Sequence, residues 1–279
     1  MTQLSIPTTA LGDGGQIPLI GLGTYALDGE AGATAIATAL QNGYRLLDTA
    51  AQYLNEETVG KAIRQSGVPR QELVVTTKLA GADHGYDKTL AAARASLQRL
   101  GLEYIDLYLI HWPNPSVDLY AESYRAMLQL ADDGLVRHVG VSNFKPAHLQ
   151  RLFDETGVWP ALNQVQLSPA LARTELRRFH AEHSIATEAW RPLGAEEGVP
   201  SNRNVTEIAR KHGRTAGQIA LRWAVQQGIV AIPKSGRTDR QLENAQVFDF
   251  ELGDADMAAL ATLDLGEAAA WDADTHEEF

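Results

Sequence analysis

The sequence predicts a single (β/α)8 TIM barrel with an N-terminal β-hairpin closing its bottom. Three observations predict it. Apolar runs of strand length alternate with helical apolar stripes along the whole chain. Eight strand–helix units of this kind imply parallel strands with right-handed crossovers, and eight suits a closed ring better than an open sheet. Polar residues also stand repeatedly where the strands stop: Asp48, Lys78, His111, Asn143, Gln164 and Lys234. In such barrels the working residues lie at these C-terminal strand ends.

Taken in order, Leu4 to Pro7 and Ile17 to Ile20 flank the turn Gly12-Asp13-Gly14-Gly15, which reads as a hairpin. Leu19 to Gly23 begins the main alternation. A helix follows with Ala33, Ile36, Ala37 and Leu40 on one face and Gly43 placed to end it. Next come a strand at Tyr44–Asp48, a helix from about Asn55 to Gln65, and the strand Val74–Lys78. Leu90, Ala93, Leu97 and Leu100 form a stripe stopped at Gly101. The strand Ile105–Ile110 precedes a helix carrying Tyr120, Tyr124, Met127, Leu128 and Ala131.

After the strand Val139–Val141, Pro146 fits the first turn of a helix with Leu149, Leu152 and Phe153. The strand around Leu162–Val165 leads to a helix marked by Leu176 and Phe179, and Ile185–Trp190 forms the next strand. Asn204 with Glu207, and Thr215 with Gln218, have the spacing of capping boxes opening consecutive helices. Ile229–Ile232 is the last strand, and a helix starts near Thr238, with Gln241 three residues on. No linker or second domain interrupts this pattern, so residues 1–279 read as one domain.

Composition narrows the function. The formal charge is −11 and the pI about 5.2, which argues against nucleic acid or an anionic membrane as the main partner. The chain has no cysteine, which removes disulfides, thiolate nucleophiles and cysteine-ligated metals. Met1 to Thr9 lacks the basic start and apolar run of a signal peptide, and no apolar stretch approaches the ~20 residues of a membrane helix. The expected location is cytoplasmic.

Asp48, Tyr53, Lys78 and His111 suit proton transfer without metal or thiol. A free tyrosine, with pKa about 10, is a weak acid at neutral pH. An ammonium beside it stabilises the phenolate and is expected to lower that value. A carboxylate fixes the ammonium, and an imidazole opposite can orient a carbonyl oxygen. Such a set gives a proton to a carbonyl oxygen as hydride arrives at carbon, an effect worth ~10²–10⁴-fold. The hydride requires a cofactor, yet Gly21-Leu22-Gly23-Thr24 does not match GxGxxG. The basic segment from Ile232 to Asn244, with Lys234 and Arg240 near a helix start, is a candidate phosphate site instead.

These stretches together resemble the aldo-keto reductases over essentially the whole chain, and among them short bacterial members similar to 2,5-diketo-gluconate reductases. The resemblance rests on Gly21 to Tyr25, Asp48-Thr49-Ala50 with Tyr53 and Asn55-Glu56, Lys78, and Leu109 to Pro113. It continues through Gly140 to Phe144, Asn163-Gln164-Val165, and Ile232 to Ser235 with Arg240, Glu243 and Asn244. It implies a catalytic tetrad of Asp48, Tyr53, Lys78 and His111, with Tyr53 as general acid. It also implies NADP(H), preferred over NAD(H), as cofactor: Ser142, Asn143 and Gln164 at the carboxamide and Trp190 stacked on the ring. Thr24, Asp48 and Leu193 would line the same site. Lys234, Ser235 and Arg240 would hold the 2′-phosphate, with Glu243 and Asn244 on the adenine side. The implied partner is a small carbonyl substrate, and the implied state is a monomer. Arg191 stands where the family usually has a small hydroxyl residue, and Glu196 and Glu197 follow it.

Tyr25, Trp112, Asn114 and Trp271 are expected around the substrate, with packing an equal role for Trp112. His180 and His183 have helical spacing, but without a third ligand they read as a solvated face rather than a metal site. Two other readings compete: a Schiff-base aldolase using Lys78, and a non-catalytic NADPH-binding regulator.

Overall fold

The computed structural model describes residues 4–279; the first three residues of the Met1–Thr9 segment lie outside it. The hairpin pairs β1 (Thr8–Ala10) with β2 (Gln16–Pro18), Thr9 facing Ile17. Its first strand therefore lies beyond Pro7 rather than before it. Proline has no N–H for a ladder, so Pro7 contributes only its carbonyl, which accepts from the Leu19 amide at 2.8 Å.

Eight parallel strands follow: β3 (Leu22–Gly23), β4 (Leu46–Asp48), β5 (Val74–Leu79), β6 (Ile105–Ile110), β7 (Val136–Ser142), β8 (Leu162–Gln166), β9 (Ala186–Trp190) and β10 (Val230–Ala231). Neighbours in sequence are neighbours in space from β3 to β10. The ring closes where Ile20 and Gly23 bridge to Ala231 and Lys234, with the Gly21 amide donating to the Ala231 carbonyl at 2.9 Å. The connecting helices are α1 (Gly29–Asn42), α2 (Glu56–Ser66), α3 (Tyr86–Leu100), α4 (Tyr120–Asp132), α5 (Pro146–Thr156), α6 (Thr174–Glu182), and the consecutive pair α7 (Arg203–His212) and α8 (Ala216–Val225). Then come α9 (Thr238–Ala245) and α10 (Asp254–Ala261). Gly43 and Gly101 end α1 and α3 in the left-handed conformation that glycine adopts without a Cβ clash.

Strand side chains alternate between two cores. Leu47, Val75, Leu79, Tyr108, Ile110, Val141, Val165, Ala189 and Ala231 face the helices. Leu46, Leu107, Leu109, Leu162, Val230 and Ile232 face inward and pack against Leu11 and Ile17 of the hairpin, which plugs the bottom. Stepping two residues along from this inner set reaches Asp48, His111, Gln164 and Lys234 at the top. The period of two that fills the barrel also aims the site.

Three local expectations need correction. The cap of α7 is Asn202, whose side chain accepts from the Asn204 amide at 2.9 Å; the 3-10 turn Val199–Ser201 runs straight into the helix, which starts two residues early. Helix α9 begins at Thr238 itself, so Gln241 lies one position too far to close a capping box, and its amide donates to Ser235 and Ala35 carbonyls. The box of Thr215 with Gln218 forms as expected. His180 is buried, not solvated: its ring nitrogens lie 3.0 Å from Asn163 Nδ2 and 2.8 Å from Thr187 Oγ1. Strand β9 swings that face of α6 inward, and burial lowers the His180 pKa to about 3. His183 packs on Trp159.

Candidate active site

Lys78 ends its inward-facing run with no exposed surface. A buried ammonium demands partners. It donates to Asp48 Oδ1 and Oδ2 at 2.7 and 2.9 Å and to the Thr49 carbonyl at 3.0 Å, and it lies 3.4 Å from the Tyr53 hydroxyl. Burial pulls its pKa down, but Asp48 and then Tyr53 outweigh this and hold it raised. Asp48 also accepts from Gln164 Nε2 at 2.7 Å.

Tyr53 sits on a single 3-10 turn, Ala51–Tyr53, closed by Leu54 in the left-handed region. Asn55 fixes that turn, accepting from Thr49 Oγ1 at 2.8 Å and donating to the Thr24 and Leu27 carbonyls. The Tyr53 ring meets the edge of His111 at 5.8 Å and of Tyr25 at 5.2 Å. The expected lowering of its pKa does not follow: burial raises it, and this outweighs the pull of Lys78 in the other direction. Tyr53 therefore holds its proton at neutral pH. Burial and then Lys78 push the His111 pKa well below its usual value, so its imidazole is neutral.

A cavity of about 710 Å³ opens over this cluster, lined among others by Asp48, Tyr53, His111, Ser142, Asn143, Gln164, Trp190 and Lys234. That volume suits a sizeable organic ligand. Asn143, in the left-handed region at φ 64°, accepts from Trp190 Nε1 at 2.8 Å and donates to the His111 carbonyl at 3.1 Å. The indole is thereby held against the cavity wall. Thr24, Leu193, Tyr25, Trp112 and Trp271 line the cavity too.

Other expected residues lie elsewhere. Asn114 is buried outside the cavity wall and binds the backbone of Glu278. Ser235, Arg240, Glu243 and Asn244 stand beyond the lining, just before α9 or along it, and Arg240 is paired with Glu243 at 2.8 Å. Lys234 lines the cavity and is exposed, with no ion pair among the described residues. Arg191 pairs with Glu196 and lies over the Trp190 and Trp271 rings, while Glu197 accepts from Gln166 at 3.1 Å. Neither Glu196 nor Glu197 lines the cavity.

Two carboxylates escape sequence reasoning. Glu188 is fully buried on β9, in register with Gln164, and neither of its oxygens has a hydrogen-bond partner among the described residues. A glutamate in the middle of an inward-facing strand was its only signal. Glu278, near the end of the chain, lines the cavity with its carboxylate 3.6 Å from His111 Nδ1. Nothing local marks it, because only the folded tail brings it there.

Among known proteins, the Aldo/keto reductase family model matches residues 19–264. The chain is 48% identical to 2,5-diketo-D-gluconic acid reductase B of a Corynebacterium species, over 98% of this chain and 99% of that one. It is 44% identical to methylglyoxal reductase DkgA of Escherichia coli K12, over 95% and 96% respectively. A crystal structure of a Bombyx mori aldo-keto reductase in complex with NADP superposes with a TM-score of 0.87 at 34% identity, covering 95% of this chain and 94% of that one.

Proposed function

The chain belongs to the aldo/keto reductase family, and on that premise we propose that Tyr53 is the general acid of an NADPH-dependent carbonyl reduction. The class itself, an NADP-dependent oxidoreductase acting on carbonyl compounds, follows from membership and from the relatives' named activities. The observation that carries the Tyr53 assignment is the contact of its hydroxyl with Lys78, 3.4 Å away and itself clamped by Asp48.

The donors around the cavity fit a nicotinamide dinucleotide. Trp190 offers a flat face, Ser142, Asn143 and Gln164 offer hydroxyl and amide groups, and Lys234 with the start of α9 offers positive charge for phosphate. When bound, the nicotinamide supplies the hydride. The protein's residues do the rest. Neutral His111 donates a hydrogen bond that orients the substrate oxygen beside Tyr53. Tyr53 releases its proton to that oxygen as negative charge develops there. The Lys78 ammonium stabilises the phenolate left behind, and Asp48 keeps the ammonium in place. Alcohol oxidation uses the same groups in reverse.

An ammonium raised in pKa and hydrogen-bonded to Asp48 is a poor Schiff-base nucleophile, which counts against an aldolase. Lys234 and the neighbouring basic residues support NADPH over NADH. The relatives' names point to α-dicarbonyls and keto-sugar acids as candidate substrates. The reading extends to residues 1–279 acting as one cytoplasmic, monomeric unit; no helix among the described residues is long and apolar enough to cross a membrane.

The test follows NADPH oxidation with a panel of aldehydes, α-dicarbonyls and keto-sugars, comparing wild type with Tyr53→Phe and including NADH. The expected loss in kcat is about 10²–10⁴-fold, with NADPH binding retained. Undiminished turnover by Tyr53→Phe removes the tyrosine from the acid role, and tight NADPH binding without turnover favours a regulator.

A further inference from the structure

The chain's last residues do not trail into solvent. Trp271 donates its amide to Gln166 at 3.0 Å, and Asp274 pairs with Lys145 at 2.6 Å and His148 at 3.1 Å. Glu277 accepts from the amide and hydroxyl of Ser116 at 2.7 and 2.6 Å, and Gln52 donates to the Phe279 carbonyl at 3.0 Å. Between these anchors, Asn114 grips both backbone groups of Glu278, at 2.5 and 3.3 Å. These contacts fix the Glu278 backbone at the cavity mouth. Its carboxylate enters the cavity between His111, at 3.6 Å, and His276, at 3.3 Å.

The charges around that carboxylate are unbalanced. The cavity is lined by the charged residues Asp48, Arg191, Lys234 and Glu278. Asp48 is neutralised by Lys78, and Arg191 by Glu196. Lys234 ends β10, four strands around the ring from β6 and His111. His111 is neutral. Glu278 thus has no lysine or arginine partner among the described residues, only the imidazoles of His111 and His276. It stands beside the group that orients the substrate oxygen, and its carboxylate acts to raise the Tyr53 pKa.

We infer that Glu278 sets the charge of the substrate: the site takes neutral carbonyl compounds and rejects those bearing a carboxylate next to the carbonyl. The inference rests on the reductase reading above. A 2-keto acid bound at Tyr53 and His111 brings its carboxylate within a few ångströms of Glu278. Like charges at such separations repel strongly in a partly desolvated cavity. A neutral aldehyde, 2-keto ester or α-dicarbonyl avoids that repulsion. Of the substrate classes weighed above, neutral α-dicarbonyls fit, and keto-sugar acids do not where the reacting carbonyl adjoins the carboxylate.

The test compares kcat/KM for the 2-keto ester that is turned over fastest with that for its free acid, at neutral pH and low salt. Wild type should favour the ester. Glu278→Gln should raise the acid by about tenfold or more relative to the ester, and Glu278→Lys should raise it further. High salt should narrow the wild-type preference and leave Glu278→Gln unmoved. A ratio within about twofold of wild type in both variants overturns the assignment, as does a wild type that favours the acid. If wild type reduces no carbonyl at all, the reductase reading fails first and this inference falls with it.

Discussion

The Lys78 ammonium lies 2.7 and 2.9 Å from the two carboxylate oxygens of Asp48, and both side chains are withdrawn from solvent. Breaking such a pair from one side is costly, because the other charge stays buried. Asp48→Asn should destabilise the fold by about 3–5 kcal/mol. Combining it with Lys78→Met should cost clearly less than the two single changes added together. Urea titration of all four proteins measures the coupling. Additive effects would mean that the pair is not the unit its geometry suggests.

Glu188 supplies a pH signature. Burial, and then the Asp48 charge, push its pKa well above the ordinary range for a carboxyl group. The folded state therefore binds a proton that the unfolded state releases above about pH 4.5. This contribution to stability is full below that pH and is lost as pH rises toward the folded pKa. Glu188→Gln keeps the shape without the titration, so its stability relative to wild type should increase from pH 5 to pH 8. A constant difference across that range would show Glu188 already ionised in the fold.

Buried imidazoles work in the other sense. Burial lowers His84 from 6.5 to about 4 and His180 to about 3. Each is neutral in the fold and takes up a proton on unfolding below about pH 6.5, so stability is complete above that pH and falls below it. The loss approaches about 1.4 kcal/mol per histidine for each pH unit. His84 has no hydrogen-bond partner on either nitrogen among the described residues, so His84→Leu should flatten the acid side of a urea-midpoint profile. An unchanged slope would place the proton uptake elsewhere.

Gly81 tests the seat of the tail. A Cβ there meets the Glu278 carbonyl oxygen at 1.8 Å and Asn114 Nδ2 at 2.2 Å. Gly81→Ala should push the segment after Trp271 off Asn114 while leaving the barrel intact. Amide hydrogen exchange over residues 271–279 should speed up, with exchange in β5 and β6 unchanged. Protection equal to wild type would mean that the tail does not depend on Asn114.

Much of this molecule was legible beforehand because its signals are local or periodic. Pro146 and the Thr215–Gln218 box started helices, while Gly43 and Gly101 stopped them. Asp48, Lys78, His111 and Gln164 were visible as polar ends of apolar runs, and the fold brings them together. What misled was equally local. Asn204 looked like a cap because its spacing to Glu207 is right, yet Asn202 is the residue with extended backbone at the helix start. The neighbours of Tyr53 were right but the sign of its pKa shift was wrong, because spacing in a chain reveals a nearby ammonium and not the depth of burial.

The alternation of strand and helix, the number of units and the strand ends that carry chemistry are all written in the residue pattern. These follow from hydrophobic period and backbone preference, which act over a few residues. Tertiary packing put His180 inside, set Asn114 to hold the tail rather than face the cavity, buried Glu188 near Asp48 and brought Glu278 to His111. Those outcomes depend on contacts between residues such as Asn114 and Glu278, 164 positions apart. Long-range packing sets burial, and burial sets charge.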